Sequence, residues 1–330
     1  MLRSNFLIRM GMRVASWASY AKNFLRRMLM ASFPMGYEIL FTPGNWDEPV
    51  RAMISGHRQF VRLMRQPGLR TFLSDHPPVL YRPYRRYLAT SFTKKVRRTV
   101  LSHHYAYLLT RVGNGFFSET LRVRPRLWLK AIGPDRFSVR LSFPRELHHE
   151  GDLLLEFLEN SIALYHLSFS IAPGYLAGSD AGQVILIARV QGVVGQFEAI
   201  RRSTKVCFDV APAYLLMAAV QGIAEALHVD VIAGIRNEEQ ITANVDEDRV
   251  VHFSYDAFWR TNLGTEAEKF YLIAVPIPEK PLAQISPAHR GRTRTKRYLK
   301  GEVAESARES FQAFLNGKGE SHATLGAPDR

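Results

Sequence analysis

Cysteine is almost missing from this sequence: of 330 residues only Cys207 carries a thiol. An internal disulfide is therefore excluded, and no Cys/His spacing of a metal site occurs. Cys207 stands in the apolar stretch Lys205–Val206–Cys207–Phe208–Asp209 with no local base or orienting group. A buried structural thiol is expected there rather than a nucleophile. No apolar run approaches the ~20 residues needed to span a bilayer. Arg3, Arg9 and Arg13 interrupt the apolar residues at the N-terminus, which removes the continuous centre of a secretory signal. The expected location is cytoplasmic, or peripheral on the inner face of the inner membrane.

Acidic residues are missing as well, wholly so from residues 1–37, where Arg3, Arg9, Arg13, Lys22, Arg26 and Arg27 alternate with Phe6, Trp17, Tyr20 and Phe24. Such a segment either lies in a membrane interface or packs on its own protein with a solvated basic face. The whole chain carries a formal charge of +14, which favours an anionic partner: a lipid surface, an acidic small molecule or, third, nucleic acid. No helix-turn-helix, zinc-finger or RNA-binding signature supports the last. Hydrophobic residues at 46% and charged residues at 22% are those of a globular chain with a core of useful size.

Periodicity divides the chain into three parts: a basic helical region over 1–115, an α/β core over 116–282, and a basic, partly disordered tail over 283–330. In the first part, Val50, Met53, Ile54, Phe60, Val61 and Met64 recur on one helical face, with Asn45 as cap and Pro67–Gly68 as stop. A second helix begins near Ser91. Lys94, Lys95, Arg97 and Arg98 crowd its first half, where the helix dipole disfavours cations.

From about residue 116 the period changes. Alternation around Gly133–Pro134–Asp135 predicts a hairpin, and Asp152–Phe157, Ala163–Ile171 and Gln183–Val190 continue an antiparallel meander. A polar and basic stretch, Gln196–Lys205, reads as a loop. Pro212 opens a helix to about Leu227 that is apolar nearly all round and so buried. Val229–Ile235 is a short strand, Asp256–Trp259 a helix and Phe270–Pro276 a last strand. The expected fold class is α+β: helices first, then a mostly antiparallel sheet with packed helices.

Several groups of residues, taken in order, carry a resemblance. They are Arg82–Pro83–Tyr84, His104–Tyr105, Glu150–Gly151–Asp152–Leu153, Tyr165–Phe169, Ile235–Arg236–Asn237, Tyr255–Asp256 with Phe258–Trp259, and the basic run His289–Arg297. Over about residues 40–305 the chain resembles the VirK/YbjX family. That resemblance implies a bacterial protein tied to virulence, envelope stress and resistance to cationic antimicrobial peptides; it brings no catalytic residues. A second resemblance, of topology, is to the acyl-CoA N-acyltransferases: meander, buried helix, strand ending at Asn237, then the Tyr255–Trp259 helix. It implies an acyl-CoA cofactor with its pyrophosphate on the buried helix's N-terminus. The glycine-rich phosphate loop is absent, Asp209–Val210–Ala211–Pro212 standing in its place, and Pro212 lacks an amide donor.

Candidate catalytic positions are Tyr255, Asn237 and His104. Candidate ligand positions are Arg201, Arg202 and Lys205 before the buried helix, Arg82 and Tyr84 in an arginine–tyrosine alternation, and Trp259. Of the adjacent His103 and His104, one is expected buried and one exposed, since neighbours on a helix diverge by about 100°. The acidic residues Glu238, Glu239, Asp246, Glu247 and Asp248 read as partners for the basic tail rather than as a general base.

Overall fold

The structure, a computed structural model, describes residues 47–113, 115–144, 150–241 and 254–317. The basic segment 1–37, the Asn45 cap, Asp246–Asp248 and the end of the chain after Gly317 lie outside the described residues. Two compact units divide at Ser55/Gly56. The description below concerns the second.

Helix α1 (Asp47–Met64) begins before that division; its residues in the second unit bury Phe60 and Met64, and it stops before Pro67–Leu69. Helix α2 (Arg70–Asp75) and a 3-10 stretch over Pro77–Tyr84 follow. Helix α3 (Lys94–Arg111) starts at Thr93, whose hydroxyl accepts from the Val96 amide at 3.3 Å. Its buried stripe is Val100, Leu101, His104, Tyr105 and Leu108. A short helix α4 (Phe116–Arg122) leads into the sheet.

The hairpin falls where alternation places it. Strands β1 (Arg126–Ile132) and β2 (Asp135–Ser142) pair antiparallel across Gly133, which has φ +63°. Strands β3 (Leu153–Glu159), β4 (Ile162–Pro173) and β5 (Gln183–Gly192) complete an antiparallel meander. The stretch after β5, read from sequence as a loop, is helix α5 (Phe197–Val206). Its few apolar residues hid a narrow stripe: Ile200 packs over Gly192 and Tyr165. Then come α6 (Pro212–Leu227), β6 (Val231–Ile235), α7 (Tyr255–Thr261), β7 (Thr265–Glu266) and β8 (Phe270–Ala274). Among the described residues these eight strands form one sheet, ordered β1-β2-β3-β4-β5-β6-β8-β7, with β5 and β6 parallel.

Residues Phe169–Ala172 of β4 are all buried, so both faces of the sheet are covered there, because successive side chains point to opposite faces. Helix α3 packs on β4, and α6 packs against β3, β4 and β5. The basic run read as a tail is the first half of a 29-residue helix, α8 (Pro287–Leu315). Its later half buries Leu299, Val303, Ala307, Phe311 and Phe314 and lies along α6 and β1. No helix among the described residues is long and apolar enough to cross a membrane.

Candidate functional site

Between β5 and β6 the sheet opens. The two strands pair only over Ile185–Ile187 with Ile232–Gly234. A bulge at Ala188 shifts the register of β5 against β4, so Ser168 faces Arg189 while Phe169 faces Ile187. Past that bulge Val190 has no partner on β6, and its amide donates to the Tyr255 hydroxyl at 3.3 Å. Burial pushes the Tyr255 phenol up to about 12, with smaller opposing contributions from the Val190 amide and Arg189. The phenol is therefore protonated at neutral pH. Tyr165 is raised further, by burial first and then by the neighbouring Tyr255 and Tyr214. Three tyrosines thus converge at the opening, with the ion pair Glu150–Arg189 (3.1 Å) beside them.

Asn237 holds Tyr255 in place. Its side-chain oxygen accepts from the Tyr255 amide at 2.8 Å, and its own amide donates to Asp256 at 2.9 Å. The end of β6 is clamped to the start of α7 by this exchange, and Ser254 caps the same helix. Trp259 is wholly buried, with its indole N–H on the Ile235 carbonyl at 2.8 Å. Arg201 and Lys205 are exposed on α5, whereas Arg202 is engaged with Glu159 at 2.9 and 3.0 Å. Cys207 is buried, and burial followed by Glu159 pushes its thiol up to about 12, which leaves it inert at neutral pH. Of the acidic cluster, Glu238 pairs with Arg236 at 3.5 Å, and Glu239 accepts from the Ser91 amide and the Thr90 hydroxyl at 2.9 and 3.0 Å.

Two of the other candidates lie elsewhere. Arg82 and His104 belong to a buried polar cluster centred on Asp152, which is 1% exposed. Arg82 forms an ion pair with Asp152, and Tyr87 donates to the same carboxylate. Tyr105 (3.0 Å) and Ser170 (2.7 Å) donate as well. Burial would raise the Asp152 carboxyl, but Arg82 and the hydroxyl donors outweigh it and hold it below its ordinary value. Gly151 makes this possible: at φ +154° it runs so close to β4 that a Cβ would meet the Phe169 amide at 2.7 Å. Tyr84 lies at the edge of this region, edge-on to His57 at 5.4 Å. Sequence reading singled out Arg82 but not its carboxylate partner 70 positions away.

His104 accepts from the Ile171 amide on Nδ1 at 3.1 Å, so the neutral ring carries its proton on Nε2. Burial lowers it to about 4, with Asp152 opposing. The unfolded value is 6.5, so below pH 6.5 the unfolded chain binds more protons than the folded one. Stability is whole above pH 6.5 and is lost as the pH falls toward 4, by about 3 kcal/mol from this group alone. Urea unfolding at pH 7, 6 and 5 is expected to show a steeper loss for the wild type than for His104→Gln, which still accepts from Ile171. Parallel curves for the two proteins would rule out this role for His104.

The described residues define a mixed α+β protein: a mostly antiparallel sheet opened between its two parallel strands, with a buried Arg–Asp pin elsewhere in the core. Residues 51–309 match the model of a family described as "Protein of unknown function (DUF535)", and the chain belongs to that family, which is the VirK/YbjX family. The Escherichia coli (strain K12) protein called "Uncharacterized protein YbjX" is similar to it, with 28% identity over 242 residues, 70% of this chain and 72% of that one. An "Uncharacterized protein" of Haemophilus influenzae is 24% identical over 235 residues, covering 68% of this chain and 77% of its own. No solved structure matches the chain.

Proposed function

We propose that this protein is an acyltransferase-like enzyme that works at the opening between β5 and β6, on an amine or an amine-bearing envelope component. The supporting observation is the interrupted β5–β6 pairing, which directs the Val190 amide onto the Tyr255 hydroxyl. A hydroxyl that accepts from an amide and stays protonated is a donor suited to the oxyanion that develops when an amine attacks a thioester carbon; the C–N bond forms, the C–S bond breaks, and the leaving thiolate takes up the proton that the amine loses. The residues present do not fit a coenzyme A pyrophosphate at α6. Pro212 has no N–H, the Tyr214 amide is spent on the Ala211 carbonyl, and no side chain caps the helix. The acyl donor is therefore held by its carbonyl and chain, with Arg201 and Lys205 left for any anionic group. Acylation of an envelope amine removes positive charge, a chemistry compatible with the envelope-stress and antimicrobial-peptide link that the family resemblance implies.

The test combines thermal shift with acetyl-CoA, longer acyl-CoAs and acyl-N-acetylcysteamine thioesters, and mass-spectrometric detection of acyl transfer to spermidine. Tyr255→Phe is expected to lower the midpoint by a few degrees, because the buried Val190 amide loses its acceptor, and to lose about 100-fold in transfer rate. Wild-type transfer by that variant, or no transfer and no shift with any donor, would sink the reading.

A second reading, a non-enzymatic protein on the anionic inner membrane face, is favoured by one observation. Arg85, Arg86, Lys94 and Lys95 are exposed together, and Arg97 sits close enough to Arg86 for its pKa to fall, by burial first and then by that like charge. Salt-sensitive binding to phosphatidylglycerol vesicles, with no effect of any acyl donor, would select it.

A further inference from the structure

Where β5 leaves β6, the chain also exposes large apolar side chains. After Gly192 it makes a turn closed by the Gln196 amide on the Val193 carbonyl at 3.1 Å, with Gly195 in the third position at φ +82°. This is a type II turn, and Val194 holds its outer corner. Val194 is 72% exposed, and Phe197, the first residue of α5, is 65% exposed. The Val193 amide donates to the Leu164 carbonyl at 2.9 Å, which extends the β4–β5 register and sets the turn beside Ile162. Ile162, at the β3–β4 tip, is 57% exposed. Turns ordinarily carry glycine, proline, asparagine, aspartate or serine. Exposed apolar residues scattered singly need no explanation, but three gathered on adjacent tips mark a contact surface.

The rim of that surface is basic. Helix α5 exposes Arg201, Arg202 and Lys205. Arg202 is paired with Glu159, but among the described residues neither Arg201 nor Lys205 meets a carboxylate; the one acid on the helix is Glu198. Because β5 and β6 are parallel, the C-terminal end of β6 lies at this same end of the sheet. Phe270 pairs with Ile235 there and meets Phe92 at 6.2 Å, so the start of α3 lies there as well, with Lys94 and Lys95 exposed. Cations from two helices therefore flank the apolar tips.

Two properties favour a lipid surface over a protein partner. Three side chains on separate tips cannot supply the roughly 800 Å² that each side of a standard protein interface buries. Apolar tips ringed by lysine and arginine match the layering of an anionic bilayer, with acyl chains within and phosphates outside. The surface also adjoins the opening: Ile200, one turn after Phe197, packs over Gly192 and Tyr165.

We propose that Val194, Phe197 and Ile162 enter an anionic phospholipid bilayer, with Arg201, Lys205, Lys94 and Lys95 on its phosphates, which brings the β5–β6 opening to the membrane surface. The inference rests on the membrane contact of the second reading and adds insertion to it; it does not rest on acyl transfer. The probe is vesicles of phosphatidylglycerol and phosphatidylcholine, with sedimentation of the full chain at physiological salt. Val194→Ser/Phe197→Ser is expected to weaken binding more than about 10-fold, with an unchanged urea midpoint because both side chains are exposed. Arg201→Gln/Lys205→Gln is expected to weaken it about 10-fold. Val194→Cys carrying an environment-sensitive fluorophore reports insertion directly, since the buried Cys207 thiol does not label. A blue shift is expected on phosphatidylglycerol vesicles. Salt-sensitive binding that the apolar variant retains, without a blue shift, would overturn insertion and leave the purely electrostatic contact of the second reading. No binding by the wild type would overturn both. A wild-type dimer that the apolar variant makes monomeric would overturn the proposal in favour of a second copy on this surface.

Discussion

Asp152→Ala is expected to lower the stability of the protein by about 3–5 kcal/mol and its thermal midpoint by about 10 °C. The reason lies in what the substitution leaves behind. Arg82 is buried together with Asp152, and its guanidinium donates to that carboxylate and, at 3.3 Å, to the Gly151 carbonyl. Without the carboxylate the cation remains in a dry environment with one neutral acceptor, and Tyr87, Tyr105 and Ser170 lose the acceptor they share. Breaking one half of a buried pair costs far more than the pair contributes, because desolvation of the other half is no longer offset. The double variant Arg82→Leu/Asp152→Leu removes both charges and is expected to recover part of the loss. Equilibrium unfolding in urea measures both. A single variant within 1 kcal/mol of the wild type would mean that the pin does not hold the 3-10 stretch and α3 to β4.

Gly222→Ala is the second large effect. Helix propensity alone favours alanine over glycine inside a helix by about 1 kcal/mol, so a local argument predicts stabilisation. The packing of α6 on α8 reverses it. A Cβ at Gly222 would stand within the Ala304 carbonyl oxygen and at 2.9 Å from both the Ala304 carbonyl carbon and the Arg308 amide. These are backbone atoms of a helix and do not yield like a side-chain tip. The helices must separate, and the contacts of Val303, Ala307 and Phe311 with the core loosen together. Overpacking of this kind costs about 1–3 kcal/mol or more, enough to outweigh the propensity gain. Destabilisation is expected, read as a lower urea midpoint. A midpoint at or above the wild type would show that α8 is not seated against α6 at this point.

Much of the fold was legible in the sequence, and each success has a local cause. The β1–β2 hairpin shows alternation on both sides of a Gly–Pro–Asp turn. Helix α6 is apolar on every face and is buried on nearly all of them. The order of meander, buried helix, short strand and aromatic helix follows from strand and helix periods in sequence, whereas the parallel pairing of that strand with β5 does not. The failures are equally local. Helix α5 carries a segregated apolar face, Ala199, Ile200 and Val206, but it is short and the charges between these residues make the stretch read as a polar loop. The N-terminal half of α8 is so basic that it reads as a tail, although Leu299, Val303, Ala307 and Phe311 stand at the spacing of four that marks one side of a helix.

The candidate site divides along the same line. Tyr255, Asn237 and Trp259 could be singled out from the sequence because they follow one strand within one helix-sized interval. What each does could not. Asn237 positions the Tyr255 backbone, and Trp259 fills the core. Arg82 stood out as part of a basic, tyrosine-rich run, and the structure turns it inward onto Asp152.

By itself, then, the sequence determined the class of fold, the strand order of the meander, the burial of Cys207 and of α6, and the excess of positive charge, because face periodicity and composition are properties of neighbouring residues. Only the tertiary structure decided that β5 and β6 part at Ala188, that Asp152 and Arg82 meet across 70 positions, and that Gly222 admits no side chain. Those facts depend on the register between distant segments, which desolvation and close packing enforce in three dimensions and which leaves no period in the chain.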